Sequence, residues 1–157
     1  AQGWQIDSPY EDASMQKSSC GVYPYLFITN DDPTVYISLG MSYFGNKKLD
    51  MKSVRIETDK NYYDFTCDDQ FAGGYDNDLK SWFDYELFDM DDSTSWLNEW
   101  LAAKSVTATF TGRDGSTKTY TLTKDNLQAI RDVLNVYDTL LGSDVSTARV
   151  VLRSLVK

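Results

Sequence analysis

Histidine is absent from this 157-residue chain, and only two cysteines and three prolines occur. Without imidazole there is no Ser-His-Asp or Cys-His nucleophile pair and no histidine metal ligand. Two thiols are too few for a four-cysteine zinc site. Basic residues are scarce too: 15 Lys and Arg against 24 Asp and Glu leave a net charge of −9. That is the wrong sign for a domain that neutralises phosphates, so no nucleic-acid partner is expected. No run approaches the roughly 20 apolar residues that cross a bilayer as a helix, so no transmembrane segment is expected in this chain. Gly73-Gly74 has no following lysine and helix and is not a phosphate cradle. The letters Ser-x-x-Lys occur at 14–17 and 154–157, without the companion motifs of that hydrolase chemistry.

What the chain does carry is aromatic and β-branched sequence, with 4 Trp, 11 Tyr and 7 Phe. Such residues fit a pleated, half-buried surface. A short strand is predicted around Trp4 to Ile6, followed by a polar excursion over 7–19. Strands at 23–29 and 34–39 flank Asn30-Asp31-Asp32-Pro33, a four-residue hairpin connection. Pro24 lacks a donor and marks a strand start or an edge. Val54 and Ile56 alternate with Arg55 and Glu57, Asp59-Lys60-Asn61 turns, and Tyr63, Phe65 and Cys67 alternate on the return. The pattern recurs at Val106, Ala108 and Phe110, with a turn at Gly112-Arg113-Asp114-Gly115 and a return through Tyr120 and Leu122. Both units predict a hairpin with one buried face. A further strand is predicted over 82–88, after a loop at 68–80.

Two helices are legible. Ser93 or Thr94 can cap a short one in which Trp96, Leu97, Trp100 and Leu101 share a face. Thr123 caps a longer one, with Leu127, Ile130, Val133, Leu134, Tyr137, Leu140 and Leu141 at helical spacing and Gly142 as its stop. Residues 145–156 fit either a helix capped by Ser143 or a strand. As a helix they would present Arg149, Arg153 and Lys157 as a basic stripe, solvated or docked on acidic surface.

Negative charge is concentrated. Residues 57–99 hold 13 acidic and two basic side chains, a net −11, leaving +2 elsewhere. Asp68-Asp69 with Asp76 and Asp78 form one cluster, and Asp89, Asp91 and Asp92 another. The second is the candidate calcium site, since hard cations take oxygen ligands, although it lacks the EF-hand pattern. No cofactor is expected, with calcium at this cluster as the alternative. Asp84 and Glu86 share a strand face about 7 Å apart, the separation of an inverting glycosidase pair or of two acids on a wet face. Phe71, Tyr75 and Trp82 flank a glycine-containing acidic loop and form the candidate ligand platform, because aromatic faces are apolar while their polar edges hydrogen-bond. Tyr10, Tyr43 and Phe44 are read as further loop aromatics.

Cys20 and Cys67 either pair as a structural disulfide, the favoured expectation, or stay as two buried thiols. The pairing would stabilise by about 4 kcal/mol. It would belong to an exported protein. A start at Ala1-Gln2-Gly3-Trp4, with no methionine, is read as a mature or trimmed chain.

The order of these elements, from Trp4 through Cys20, the Val54–Ile56 hairpin, the acidic insertion, the Trp96–Leu101 helix and the Val106–Leu122 hairpin to the helix at 127–141, resembles small exported bacterial β-sandwich domains. Similar are the invasion-associated locus B proteins, the accessory sandwich domains of type VI secretion and uncharacterised lipoprotein domains of gut bacteria. The resemblance lies in element order and includes no signature motif. The long polar loops and the helical C-terminal part depart from it. It implies a secreted or cell-envelope setting, lipid-anchored before trimming in one version, and a non-enzymatic role with no catalytic residue.

The expected fold is mainly β: an antiparallel β-sandwich of six to eight strands with two or three helices packed on a sheet face or end, with α+β as the alternative. A single domain is expected over 1–157, the sandwich over about 1–122 and the helical part over about 123–157. The expected function is that of an exported, non-catalytic binding or adaptor domain with a protein or glycan partner. A carbohydrate-binding module is the alternative, and a carboxylate glycosidase a less favoured one.

Overall fold

A computed structural model describes residues 3–6, 20–29, 34–68, 72–141 and 150. The chain is mainly β, and among the described residues two antiparallel sheets and two α-helices contribute to one buried cluster. The first sheet has the order β1-β2-β3-β7-β6, built from Gly3–Ile6, Gly21–Thr29, Val35–Gly45, Ser81–Asp89 and Ala72–Asp76. The second has the order β5-β4-β8-β9, from Tyr62–Thr66, Met51–Thr58, Val106–Gly112 and Thr117–Thr121. The helices are α1, Thr94–Ala102, and α2, Lys124–Leu141.

The second sheet follows from the two legible hairpins. Their first strands, β4 and β8, pair antiparallel at the centre, with Ile56 opposite Ala108 and Val54 opposite Phe110, and their returns form the two edges. Tyr63, Phe65, Val54, Ile56, Val106, Ala108 and Phe110 all turn to the core. The solvent face carries three threonine pairs, Thr107–Thr121, Thr109–Thr119 and Thr111–Thr117, directly opposite one another. Cross-strand pairs of this kind support a ladder. On the same face Arg55 bridges Asp64 at 2.7 Å and lies 4.3 Å over the Tyr62 ring. Gly112 is required by close approach: a Cβ there would sit 2.2 Å from the Leu49 carbonyl oxygen. Gly115 closes the β8–β9 turn at φ 84.

In the first sheet β2 and β3 alternate between two occupied faces. Val22, Leu26, Ile28, Ile37, Leu39 and Met41 join the shared core, whereas Tyr23, Tyr25 and Phe44 are buried outside it. α2 lies against β2 and β3 and meets α1, and its Ile130, Val133, Leu134, Tyr137 and Leu140 belong to the same cluster. Trp96 and Trp100 of α1 meet Tyr63 and Phe65. Among the described residues no helix is long and apolar enough to cross a membrane.

Several expectations need correction. Nine strands stand among the described residues, one more than the upper expectation, because β6 lies inside the stretch read as loop. Its Ala-Gly-Gly-Tyr-Asp sequence has no alternation, and only pairing with β7 makes it extended. Tyr43 and Phe44 are buried residues of β3, which runs six residues past Leu39. Pro24, by contrast, stands as expected at an edge position, within β2 where the pairing with β1 has stopped at Leu26 and β3 is its described neighbour. Ser93 stands at the N-cap of α1 without a side-chain cap bond, and a 3-10 turn at Asp91–Ser93 leads into the helix.

The expected disulfide is not formed, and both cysteines are buried thiols. Cys20 stands just before β2, where its sulfur accepts the Phe44 N–H at 3.4 Å and its S–H donates to the Phe44 carbonyl at 3.5 Å. Cys67 follows the edge strand β5 of the other sheet, where its main-chain N–H donates to the Lys52 carbonyl at 2.9 Å. The connection at 30–33, the excursion at 7–19 and Gly142 lie outside the described residues, as does the tail apart from the helical, exposed Val150.

Candidate functional site

The expected platform and the expected acid pair fall on one face of one hairpin. Directly opposed residues of an antiparallel ladder project to the same side. Tyr75 on the edge strand β6 therefore stands beside Trp82 of β7, and Gly73 beside Asp84. Trp82, Asp84, Glu86 and Phe88 alternate along β7 on the side that meets the core, and Trp82 and Phe88 pack against it. Tyr75 is 46% exposed, and its ring meets Trp82 edge to face with centroids 5.3 Å apart and planes at 65°. The pair makes an open aromatic corner at the sheet edge. The turn beyond it is braced by Asp76, whose Oδ1 accepts the Asp78 and Leu79 N–H groups at 2.9 Å. Phe71, the third expected platform residue, lies outside the described residues.

Of the carboxylates behind this corner, Asp84 is an interior group and Glu86 is half-buried. Asp84 is 4% exposed, and its Oδ2 accepts the Met51 N–H at 3.1 Å, tying β7 of one sheet to β4 of the other. Burial raises the Asp84 pKa, with the Met51 N–H pulling the other way. Glu86 is also raised, by burial first and then by the negative charge of Asp68, and its Oε2 is buried without a hydrogen-bond partner. The Cys67 thiol is pushed up to about 12, again by burial first, then by Glu86, Asp84 and Asp68. Such a thiol is inert at neutral pH.

The three expected calcium ligands are not assembled as a ligand set. Asp91 Oδ1 accepts the Ile37 N–H at 2.9 Å and the Tyr137 hydroxyl at 3.3 Å, joining β3 and α2. Asp89 accepts the Asp91 N–H at 3.0 Å, and Asp92 is exposed. Among the described residues no group of three or more His, Cys, Asp or Glu is arranged to hold a metal ion.

Alternation along 82–88 puts Trp82, Asp84 and Glu86 on one face, but it does not bring Tyr75 to that face, because β6 has the composition of a loop. Sequence reasoning missed Asn126 altogether. This residue is fully buried at the start of α2, where its Oδ1 accepts from the Tyr120 hydroxyl at 2.7 Å, the Thr123 N–H at 3.0 Å and the Thr123 hydroxyl at 3.2 Å. A threonine followed three residues later by an amide was the available signal.

Comparison of the chain with protein-family models, with curated proteins and with solved structures found no match.

Proposed function

We propose that this is a non-catalytic carbohydrate-binding domain that takes a neutral glycan at the β6–β7 edge. The observation that carries the proposal is the Tyr75–Trp82 corner, with much of the tyrosine in solvent beside a residue, Gly73, that has no side chain. The C–H face of a sugar ring packs on an aromatic face while its hydroxyls find polar edges and acceptors. The acidic turn residues Asp76 and Asp78 and the −9 net charge disfavour an anionic ligand. Binding without hydrolysis is supported by Asp84, whose carboxylate is buried on the Met51 amide rather than offered to a substrate. A secreted or envelope setting belongs to the same proposal. It rests on composition and the element-order resemblance, since the two unbonded thiols lend it nothing.

Titration with a series of neutral oligosaccharides, followed by tryptophan fluorescence and calorimetry, tests it. A saturable response is expected, weakened about tenfold by Tyr75→Ala, in keeping with roughly 1.4 kcal/mol for one ring contact. Tyr36→Ala, at an exposed tyrosine on another strand, should leave the response unchanged. No saturable response across the series would overturn the proposal.

A further inference from the structure

A second candidate site lies away from the aromatic corner, where the β4–β5 turn meets the C-terminal end of α1. A cavity of about 190 Å³ is lined there by Lys60, Asn61, Tyr63, Glu99, Ala102 and Ala103. That is the liquid volume of about six waters, room for a molecule of a handful of heavy atoms and less than a drug-sized pocket. Its walls are held in place from both sides. Thr58 Oγ1 accepts the Lys60 N–H at 3.2 Å and the Asn61 N–H at 2.9 Å, and Asp59 Oδ1 accepts the Lys104 N–H at 3.0 Å. These bonds fix the turn against the segment that leaves α1, so a ligand would meet a formed site and lose little free energy to ordering it.

Lys60 and Glu99 are the charged residues of the lining, and neither forms an ion pair among the described residues. Glu99 is oriented by the Tyr63 hydroxyl, which donates to its Oε2. It stands in the last turn of α1, a turn without basic residues. The carbonyl end of a helix is already negative, so this carboxylate adds to a field that attracts a cation. Lys60 supplies the opposite pole from the turn, and the two alanines offer a small apolar floor.

We propose that this cavity binds a small zwitterion of the amino-acid class, its carboxylate on the Lys60 ammonium, its ammonium on Glu99, and its short side chain on Ala102 and Ala103. The site is independent of the glycan proposal. Calorimetry with free alanine as the probe tests it, with acetate and methylammonium as half-ligands. Alanine is expected to bind at least about tenfold more tightly than either half-ligand, and Glu99→Gln and Lys60→Ala are each expected to cost about tenfold. Tyr75→Ala should leave alanine binding unchanged. Both cavity substitutions are at exposed positions, and an unchanged melting temperature for each would show that the fold survives. Absence of alanine binding to the folded protein would overturn the proposal. So would equal binding of methylammonium, or full retention of binding in Glu99→Gln.

Discussion

Aspartate side chains in this protein serve repeatedly as acceptors for main-chain N–H groups. Asp59 takes Lys104, Asp76 takes Asp78 and Leu79, Asp84 takes Met51, Asp91 takes Ile37 and Asp114 takes Ser116. Buried main-chain donors need partners, and a carboxylate supplies a strong one where no ladder carbonyl is in reach. Glu86 breaks this pattern, because its buried Oε2 has no partner. The sign of its effect follows from the direction of its pKa. The folded state raises it, so the native protein holds the proton more tightly than the unfolded chain. The contribution of Glu86 to stability is therefore lost as pH rises from the ordinary glutamate range through the raised value. Glu86→Gln keeps the shape and removes the buried charge. It is expected to raise the melting temperature at pH 7 by about 2 °C and to flatten its pH dependence, as thermal melts across pH would show.

At the scale of elements, the start of α2 concentrates polar bonding. Thr123 and Asn126 cap one another: the Asn126 N–H donates to Thr123 Oγ1 at 3.2 Å while Asn126 Oδ1 receives the Thr123 N–H. Tyr120 at the end of β9 joins through its hydroxyl, so the asparagine also anchors the helix to the second sheet. Thr123→Ala is expected to cost about 1 kcal/mol, the ordinary worth of a cap. Asn126→Ala leaves the Tyr120 hydroxyl and the Thr123 N–H unpaired and opens a gap. Its expected cost is about 2–4 kcal/mol. Chemical denaturation of both variants checks the order, and a larger loss for Thr123→Ala would contradict it. The helix itself was legible from its spacing, and so were the two hairpins of the second sheet. β6 was not, because Gly73 and Gly74 have turn composition and the strand exists only through its pairing with β7.

For the whole molecule, pH acts through two sets of carboxylates. Asp84, Glu86 and Asp91 are raised chiefly by burial, so the stability they confer is present in acid and is lost as pH rises through their folded values. Asp64 and Asp114 are lowered, chiefly by hydrogen bonds from Arg55 and Ser116, so their contribution is present above the ordinary aspartate range and lost as pH falls. The second pair is exposed and contributes little. The −9 net charge also repels itself less as carboxylates protonate. The melting temperature is expected to rise as pH is lowered from about 8 to about 5 and to fall at stronger acidity, where carboxylates bonded in the native state must protonate. A melt series in one buffer system checks this, and a steady fall from pH 8 downward would contradict it.

Alternation and helical spacing, which depend only on neighbours along the chain, were enough to specify a mainly β fold, both hairpins of the second sheet, the span of α2 and much of the shared core. They could say which residues share a face but not which face is buried. Asp84 and Glu86 therefore read first as wet acids and only second as a catalytic pair, until the second sheet closed over β7 and brought the Met51 amide to Asp84. The state of the cysteines was likewise beyond the sequence. Cys20 and Cys67 lie 47 positions apart, and only the docking of two sheets decides whether two sulfurs meet. The aromatic corner and the Lys60–Glu99 cavity have the same origin, because each joins residues from separate elements and exists only once tertiary packing has set them side by side.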